Sequence, residues 1–464
     1  MGQVIPLESV VDGQKIRGFN LNLLFWSFLA MFADGYDISV MPFAGKDFTR
    51  LWHVGQGDLT LVLTASSYGV LLGAALLGWV GDRYGRKPAI LLASLIYGVT
   101  TLAVLGGYGL QQTAILRFLT GIGIGGLMPN TIALNSELAP KRWRATLVVL
   151  MFTGVTLGST APGQVAAWLM PHYGWRVLFV LGGAVPLIVA VCLVFALPES
   201  IKFLSLDPAR RLAALRLARR MRPDLELHDD AVLTTPPMVP VPGSGLGRLL
   251  GPEFRWITLM LWVCFAMTLM AQYFLNTWMP LLYADAGLPP RDAALASSLY
   301  HVGGTVGGLL ISVLLDRFGF AVIVSLFVIA VPAIAAIGLS VASYATLAPL
   351  SMLAGFTVLG AQFGNNAASG LMYPSVFRSK AVGWALSIGR LGAIVGPTVG
   401  GLLIKRHWSM HQLFLAASLP MAVGTVAALV LMRLLWRRLG ELRISDQPAA
   451  GREAAAGVAP APGG

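Results

Sequence analysis

Two aspartates, Asp34 and Asp37, stand inside a stretch of otherwise mainly apolar and small residues, 19–42. A carboxylate in such a setting is costly, so it usually marks a path for an ion or a proton. Spacing of i,i+3 puts both on one helical face. Two carboxylates that close in a low dielectric resist joint ionisation, which is the property a proton carrier needs. Two arginines share this setting: Arg117 within 112–135 and Arg390 within 379–404. A guanidinium stays charged and can hold a carboxylate through two parallel hydrogen bonds. Each arginine could bind an anionic ligand or form a permanent structural pair, and Arg117 could satisfy the aspartates in that way.

Further polar groups sit at similar depth. Gln272, Tyr273, Asn276 and Trp278 fall in 256–284, Gln362, Asn365 and Asn366 in 345–373, and Asn130 and Asn135 in 112–135. Each can line a ligand slot or serve as a hydrogen bond between helices. His301 is either a proton relay or a packing histidine. Cys192 and Cys264 lie mid-span among apolar residues and read as packing groups. Zinc, triad and reactive-thiol motifs are absent from the sequence, so no metal and no cofactor are expected. The glycine run Gly121–Gly126 has no strand before it; close helix packing explains it better than phosphate binding.

The elements that must position these groups follow from composition. Of 464 residues, 56% are hydrophobic and 12% charged. That charge cannot cover the surface of a soluble protein of this size, so the chain reads as a polytopic membrane protein. Twelve apolar stretches serve as spans: 19–42, 58–81, 88–108, 112–135, 144–169, 174–197, 256–284, 293–315, 320–341, 345–373, 379–404 and 409–436. Span 1 reads as an uncleaved first helix. With both termini placed in the cytoplasm, 25 of the 33 Lys and Arg fall on the inner side and six on the outer. That bias sets the orientation and explains a net charge of +12 without nucleic acid. In the connection between spans 6 and 7, Asp207-Pro208 reads as a helix start, and the Arg- and Leu-bearing segment to Arg222 as an interfacial helix on the anionic leaflet. Residues 236–247 read as linker, and 445–464 as a disordered tail.

Spans 2 and 8 match at a fixed offset of 234: Gly69, Gly73, Asp82, Arg83 and Gly85 correspond to Gly303, Gly307, Asp316, Arg317 and Gly319. Gly121 and Gly126 match Gly355 and Gly360 at the same offset, and Gly154, Gly158 and Gly163 match Gly392, Gly396 and Gly401 at 238. The chain is therefore expected to be two homologous six-helix halves, with a site between them near midplane.

On these residues the chain resembles the major facilitator superfamily. The stretch Gly78 to Lys87, read GWVGDRYGRK, resembles its loop 2–3 signature, and Arg117 with the glycines after it resembles its helix 4 pattern. More narrowly, Asp34-Gly35-Tyr36-Asp37, MPNTIALNSELAPKRWRAT at 128–146, LPESIKFL at 197–204 and GWALSIGRLGAIVGPTVGG at 383–401 resemble the aromatic acid:proton symporters, the group of 4-hydroxybenzoate and benzoate carriers. The second copy of the loop signature departs from the first, with Ser312 for its glycine and Phe320 where Arg86 would align.

The resemblance implies an all-α fold of twelve transmembrane helices in two pseudo-symmetric halves, with helices 1, 4, 7 and 10 lining the cavity. The expected divisions are a cytoplasmic N-terminus (1–18), the first half (19–197), a connecting loop (198–255), the second half (256–436) and a tail (437–464). It implies proton-coupled import of a small aromatic carboxylate across an inner membrane by a monomer, rather than an enzyme. Carriage of another organic anion, or drug export, is the alternative. Asp34 and Asp37 would couple protons. Arg117, Arg390, Asn130, Gln272, Tyr273, Asn276, Gln362 and Asn366 would bind substrate. Gly78, Asp82, Arg83, Gly85, Arg86, Glu137 and Arg378 would form the gate.

Overall fold

The computed structural model describes residues 4–225, 227–228, 231–234, 246–373 and 378–439. Twelve long helices dominate the described residues. The first half holds α2 (Gly18–Val40), α4 (Thr60–Tyr84), α5 (Arg86–Ala103), α6 (Leu110–Leu138), α7 (Arg144–Trp168) and α9 (Arg176–Ala196). The second holds α13 (Arg255–Asp285), α14 (Pro290–Phe318), α15 (Ala321–Leu339), α16 (Tyr344–Leu371), α17 (Arg378–Lys405) and α18 (Met410–Leu439). Short helices lie between and before them: α1 (Leu7–Asp12), α3 (Gly45–Trp52), α8 (Met170–Tyr173), α10 (Ile201–Ser205), α11 (Arg211–Met221) and α12 (Leu246–Leu249). Most of the linker 236–247 and all of the tail 445–464 lie outside the described residues.

Eleven of the long helices are apolar enough to cross a membrane by length and composition. The exception is α6, which is 29 residues long but carries Arg117, Asn130 and Asn135 on buried positions. It sits in the bundle all the same, packed on α4 and α5, with Ile115 and Leu119 exposed on its outer face. A helix lined with polar groups inward and apolar groups outward is what a bundle interior requires.

The internal repeat is visible in atomic detail. A methyl on Gly69 would strike the Phe118 carbonyl, and one on Gly303 would strike the Met352 carbonyl; Phe118 and Met352 are themselves 234 apart. Gly158 lies against the Phe32 carbonyl and Gly396 against that of Met270, a pair again 238 apart. Small residues thus let α4 press on α6, α14 on α16, α2 on α7 and α13 on α17.

The halves touch through α7 with α14 and α4 with α17. Their side-chain bonds gather at the end away from the termini. Lys46 pairs with Asp285 at 3.1 Å and Lys405 with Asp58 at 2.7 Å. Gln164 Nε2 donates to Ser298 Oγ at 3.3 Å.

One expectation is corrected. The apolar face of α11 does not lie open for a lipid surface. Ala214, Leu215, Leu217, Ala218 and Met221 are buried in one cluster with Ile5, Leu7, Val10 and Val11 from the start of the chain. Beside them, β1 (Val4–Pro6) pairs in parallel with β2 (Val232–Thr234), a two-stranded sheet that helical periodicity gave no hint of. Gln14 Nε2 donates to the Leu138 carbonyl at 3.0 Å, and Lys141 N donates to Asp12 Oδ1 at 2.8 Å, which seats this assembly on the end of α6.

Candidate functional site

Asp37 and Arg117 form a closed pair. Asp37 is fully buried, and Arg117 Nη1 lies 3.1 Å from Oδ1 and 3.0 Å from Oδ2. Arg117 Nη2 also donates to the Asp37 carbonyl at 3.3 Å, and Thr101 Oγ1 from α5 donates to Oδ1 at 2.9 Å. Charge is met and most of the hydrogen bonding with it, though Arg117 Nε has no hydrogen-bond partner among the described residues; such pairing is what keeps a buried ion pair from being ruinous. Arg117 is therefore turned to Asp37 rather than left open to a ligand.

Asp34, one turn back on the same face of α2, is different. It is fully buried, yet neither carboxylate oxygen has a hydrogen-bond partner among the described residues. The charges within electrostatic reach are Asp37 and Arg390. Arg390 comes from α17 in the other half; it is half-buried and makes no hydrogen bond or ion pair among the described residues. Tyr273 of α13 shares the field of both, and Tyr97 of α5 that of the two aspartates. The structure thus brings the four charges together but satisfies only one couple. The other couple, one charge from each half, stands open.

The amides divide. Gln272 and Gln362 each have a buried side-chain oxygen without a partner, and Asn366 is exposed one turn beyond Gln362. Asn276 bridges the halves instead: Ser39 Oγ donates to its Oδ1 at 3.0 Å, its Nδ2 donates to the Ile38 carbonyl at 3.3 Å, and His301 Nε2 lies 2.9 Å from the same Oδ1. Asn130 donates to the Leu77 and Gly126 carbonyls at 2.9 and 2.8 Å and accepts from Arg86 at 3.4 Å. Its place is with the charges at the basic end, not with Arg390.

Those charges form one network within the first half. Arg86 lies 2.7 Å from Asp82 and 3.6 Å from Glu137, and Ser200 Oγ donates to Glu137. Gly85 makes the turn from α4 to α5 with φ at +110°, and a side chain there would strike Glu199. Glu199 Oε1 accepts from the backbone N–H groups of Arg86 and Ser200 at 2.8 and 2.7 Å. Burial pushes the Glu199 carboxyl above its ordinary range, against the pull of these bonds. Asp82 is 70% exposed, Arg83 is exposed, and a methyl on Gly78 would meet open space. The Arg378 side chain lies outside the described residues.

Residues 23–363 and 261–456 match the Major Facilitator Superfamily. The chain belongs to that superfamily. Among relatives, the 4-hydroxybenzoate transporter PcaK of Acinetobacter baylyi is 34% identical, over 92% of this chain and 94% of that one. The gallate transporter of Pseudomonas putida is 32% identical, over 92% and 94%. In solved structures, the D-xylose-proton symporter superposes with a TM-score of 0.68 at 15% identity, covering 90% of this chain and 98% of that one. This superfamily is one of transporters, so the chain is a multi-pass membrane transporter and not an enzyme.

Four contacts of this chain were not legible in its sequence. Glu199 and Ser200 stand in the quoted LPES stretch, but only the fold shows that they seat Arg86 and Glu137. Lys46 and Lys405 count among the six outer cations; the acids that meet them, Asp285 and Asp58, lie at the same end of the spans. Opposite charges at matching span ends were the available signal.

Proposed function

We propose that this superfamily member imports an aromatic carboxylate of the benzoate and hydroxybenzoate class together with protons, by alternating access. The carrying observation is the open couple of Asp34 and Arg390, one from each half. The printed names of the relatives, 4-hydroxybenzoate, gallate and benzoate transporters, support the substrate class. The membrane is the inner one, both termini are cytoplasmic, and the working unit is a monomer.

In this reading Arg390 receives the substrate carboxylate and Asp34 exchanges a proton. Asp37 stays paired with Arg117 and holds helix α2 in place. One proton per anion makes the cycle electroneutral. A second would add about 2.3 kcal/mol per 100 mV of membrane potential. Bonds between the halves gathered at the outer end support a conformation closed on that side. Gln272, Tyr273, Gln362 and Asn366 line the site from α13 and α16. Gly78, Asp82, Arg83, Gly85, Arg86, Glu137 and Arg378 belong to the inner gate, which would close when the outer bonds break.

Reconstituted vesicles test the reading. Radiolabelled 4-hydroxybenzoate should accumulate when an inward proton gradient is imposed, and an uncoupler should abolish the accumulation. Uptake that stays concentrative after collapse of the gradient would rule out proton symport. The gate makes a separate prediction: Asp82→Asn should cripple transport while leaving the amount and thermal stability of the membrane protein unchanged. The Asp82–Arg86 pair is largely exposed on the aspartate side, so it adds little to the stability of this state. Normal uptake by that variant would remove Asp82 from the gate.

A further inference from the structure

Beside the aspartates runs a seam between the halves, and it begins with a missing hydrogen. In an α-helix the carbonyl of Ile38 accepts from the N–H four residues on, but that residue is Pro42, which has none. The backbone stays helical through this point, from α2 into the turn Met41–Ala44, so the Ile38 oxygen has lost its helical donor. Asn276 of the other half supplies one: its Nδ2 lies 3.3 Å from that oxygen. The matching proline of the second half is Pro280, 238 residues after Pro42, and it removes the helical donor to the carbonyl of Asn276 itself. Ile38 is the residue 238 before Asn276 and has no polar side chain to return the bond. Between this pair the cap runs one way only.

The cap fixes its surroundings. A carbonyl only accepts, so the amide must turn Nδ2 to Ile38 and Oδ1 away from it. There Oδ1 accepts from Ser39 Oγ at 3.0 Å, and His301 Nε2 lies 2.9 Å off, so that nitrogen carries the hydrogen. Ser39 and His301 are buried. The bonds to Ile38 and Ser39 cross between the halves; the bond to His301 lies within the second half and aims the amide. Ser39 stands five residues beyond Asp34 toward the end away from the termini, about 7–8 Å along the helix. Lys46–Asp285 and Lys405–Asp58 join the halves at that same end. We propose that Asn276 is a positioning residue for transport. By capping Ile38 and holding Ser39 it closes the site on that side, and the halves part there only when both bonds break and water takes the place of the amide. This rests on the alternating-access reading above and assigns which side chain holds the closed state.

The test is the distance between spin labels placed by Tyr108→Cys and Val341→Cys, exposed positions on the two halves at that end. The full chain carries Cys192→Ala and Cys264→Ala and sits in lipid nanodiscs. Asn276→Leu keeps the bulk and loses both polar atoms, so the ratio of parted to closed molecules should rise about tenfold or more. Ser39→Ala loses one bond and should raise it several-fold less. Pro42→Ala returns an N–H to Ile38, so in that background Asn276→Leu should shift the ratio less than it does alone. As a control, Lys46→Glu with Lys405→Glu sets like charges against Asp285 and Asp58 and should part this end by itself. If the control parts the halves and Asn276→Leu does not, the inference falls and alternating access stands. An equal shift with and without Pro42 overturns the part given to the Ile38 carbonyl. If neither the control nor Asn276→Leu parts the halves, both readings fall. Where Asn276→Leu does not fold, Ser39→Ala is read in its place, and unchanged distances overturn the inference.

Discussion

An Asp34→Asn carrier should lose accumulation of substrate altogether while still exchanging it across the membrane. Asparagine keeps the size and polarity of the side chain but cannot cycle a proton, and exchange needs no deprotonated return. Because Asp34 makes no hydrogen bond or ion pair among the described residues, the change should cost no stability. Asp37→Asn should behave in the opposite way. It leaves the Arg117 guanidinium buried without its counter-ion, a loss of about 3–5 kcal/mol. Thermal unfolding in detergent and uptake in vesicles separate the two variants. Concentrative uptake by Asp34→Asn at the native rate would take the proton off this residue.

Arg390→Ala is expected to weaken binding of the acid about a hundredfold, close to 2.7 kcal/mol. Arg390→Lys keeps the charge but loses the planar fork, for about a tenfold loss. Both proteins should remain folded, since Arg390 supports no hydrogen bond or ion pair among the described residues. Native affinity in Arg390→Ala, measured directly, would make the residue structural and move the search for the anion's partner elsewhere.

The two aspartates show where sequence reading stops. Spacing put Asp34 and Asp37 on one helical face and depth made Arg117 a possible partner, but neither said which of the two it would hold. Their difference comes from Thr101 and Arg117, 64 and 80 residues away, which reach Asp37 and not Asp34. Periodicity has no access to such pairings. The repeat was different: Gly69, Gly73 and Gly121 and their mates Gly303, Gly307 and Gly355 were legible because each must meet a carbonyl, and those carbonyls recur at the same interval of 234. All twelve spans were legible by apolarity, α6 with the weakest signal, because its polar inward face dilutes what its outward face carries. The amphipathic α11 was legible as a helix, but an apolar stripe does not say what will cover it. Here the cover is the chain's own first residues, a long-range match that local composition cannot encode.

That cover has a consequence for biogenesis. Ile5 and Thr234, neighbours where Thr234 Oγ1 meets the Ile5 carbonyl, are 229 residues apart in the chain. At the ribosome's pace of about 5–20 residues per second, the first strand waits roughly 10–50 s for its mate. During that time the six helices of the first half emerge, while Leu7, Val10 and Val11 have no finished surface to rest on. Closure of this small sheet therefore requires the whole first half to have been synthesised.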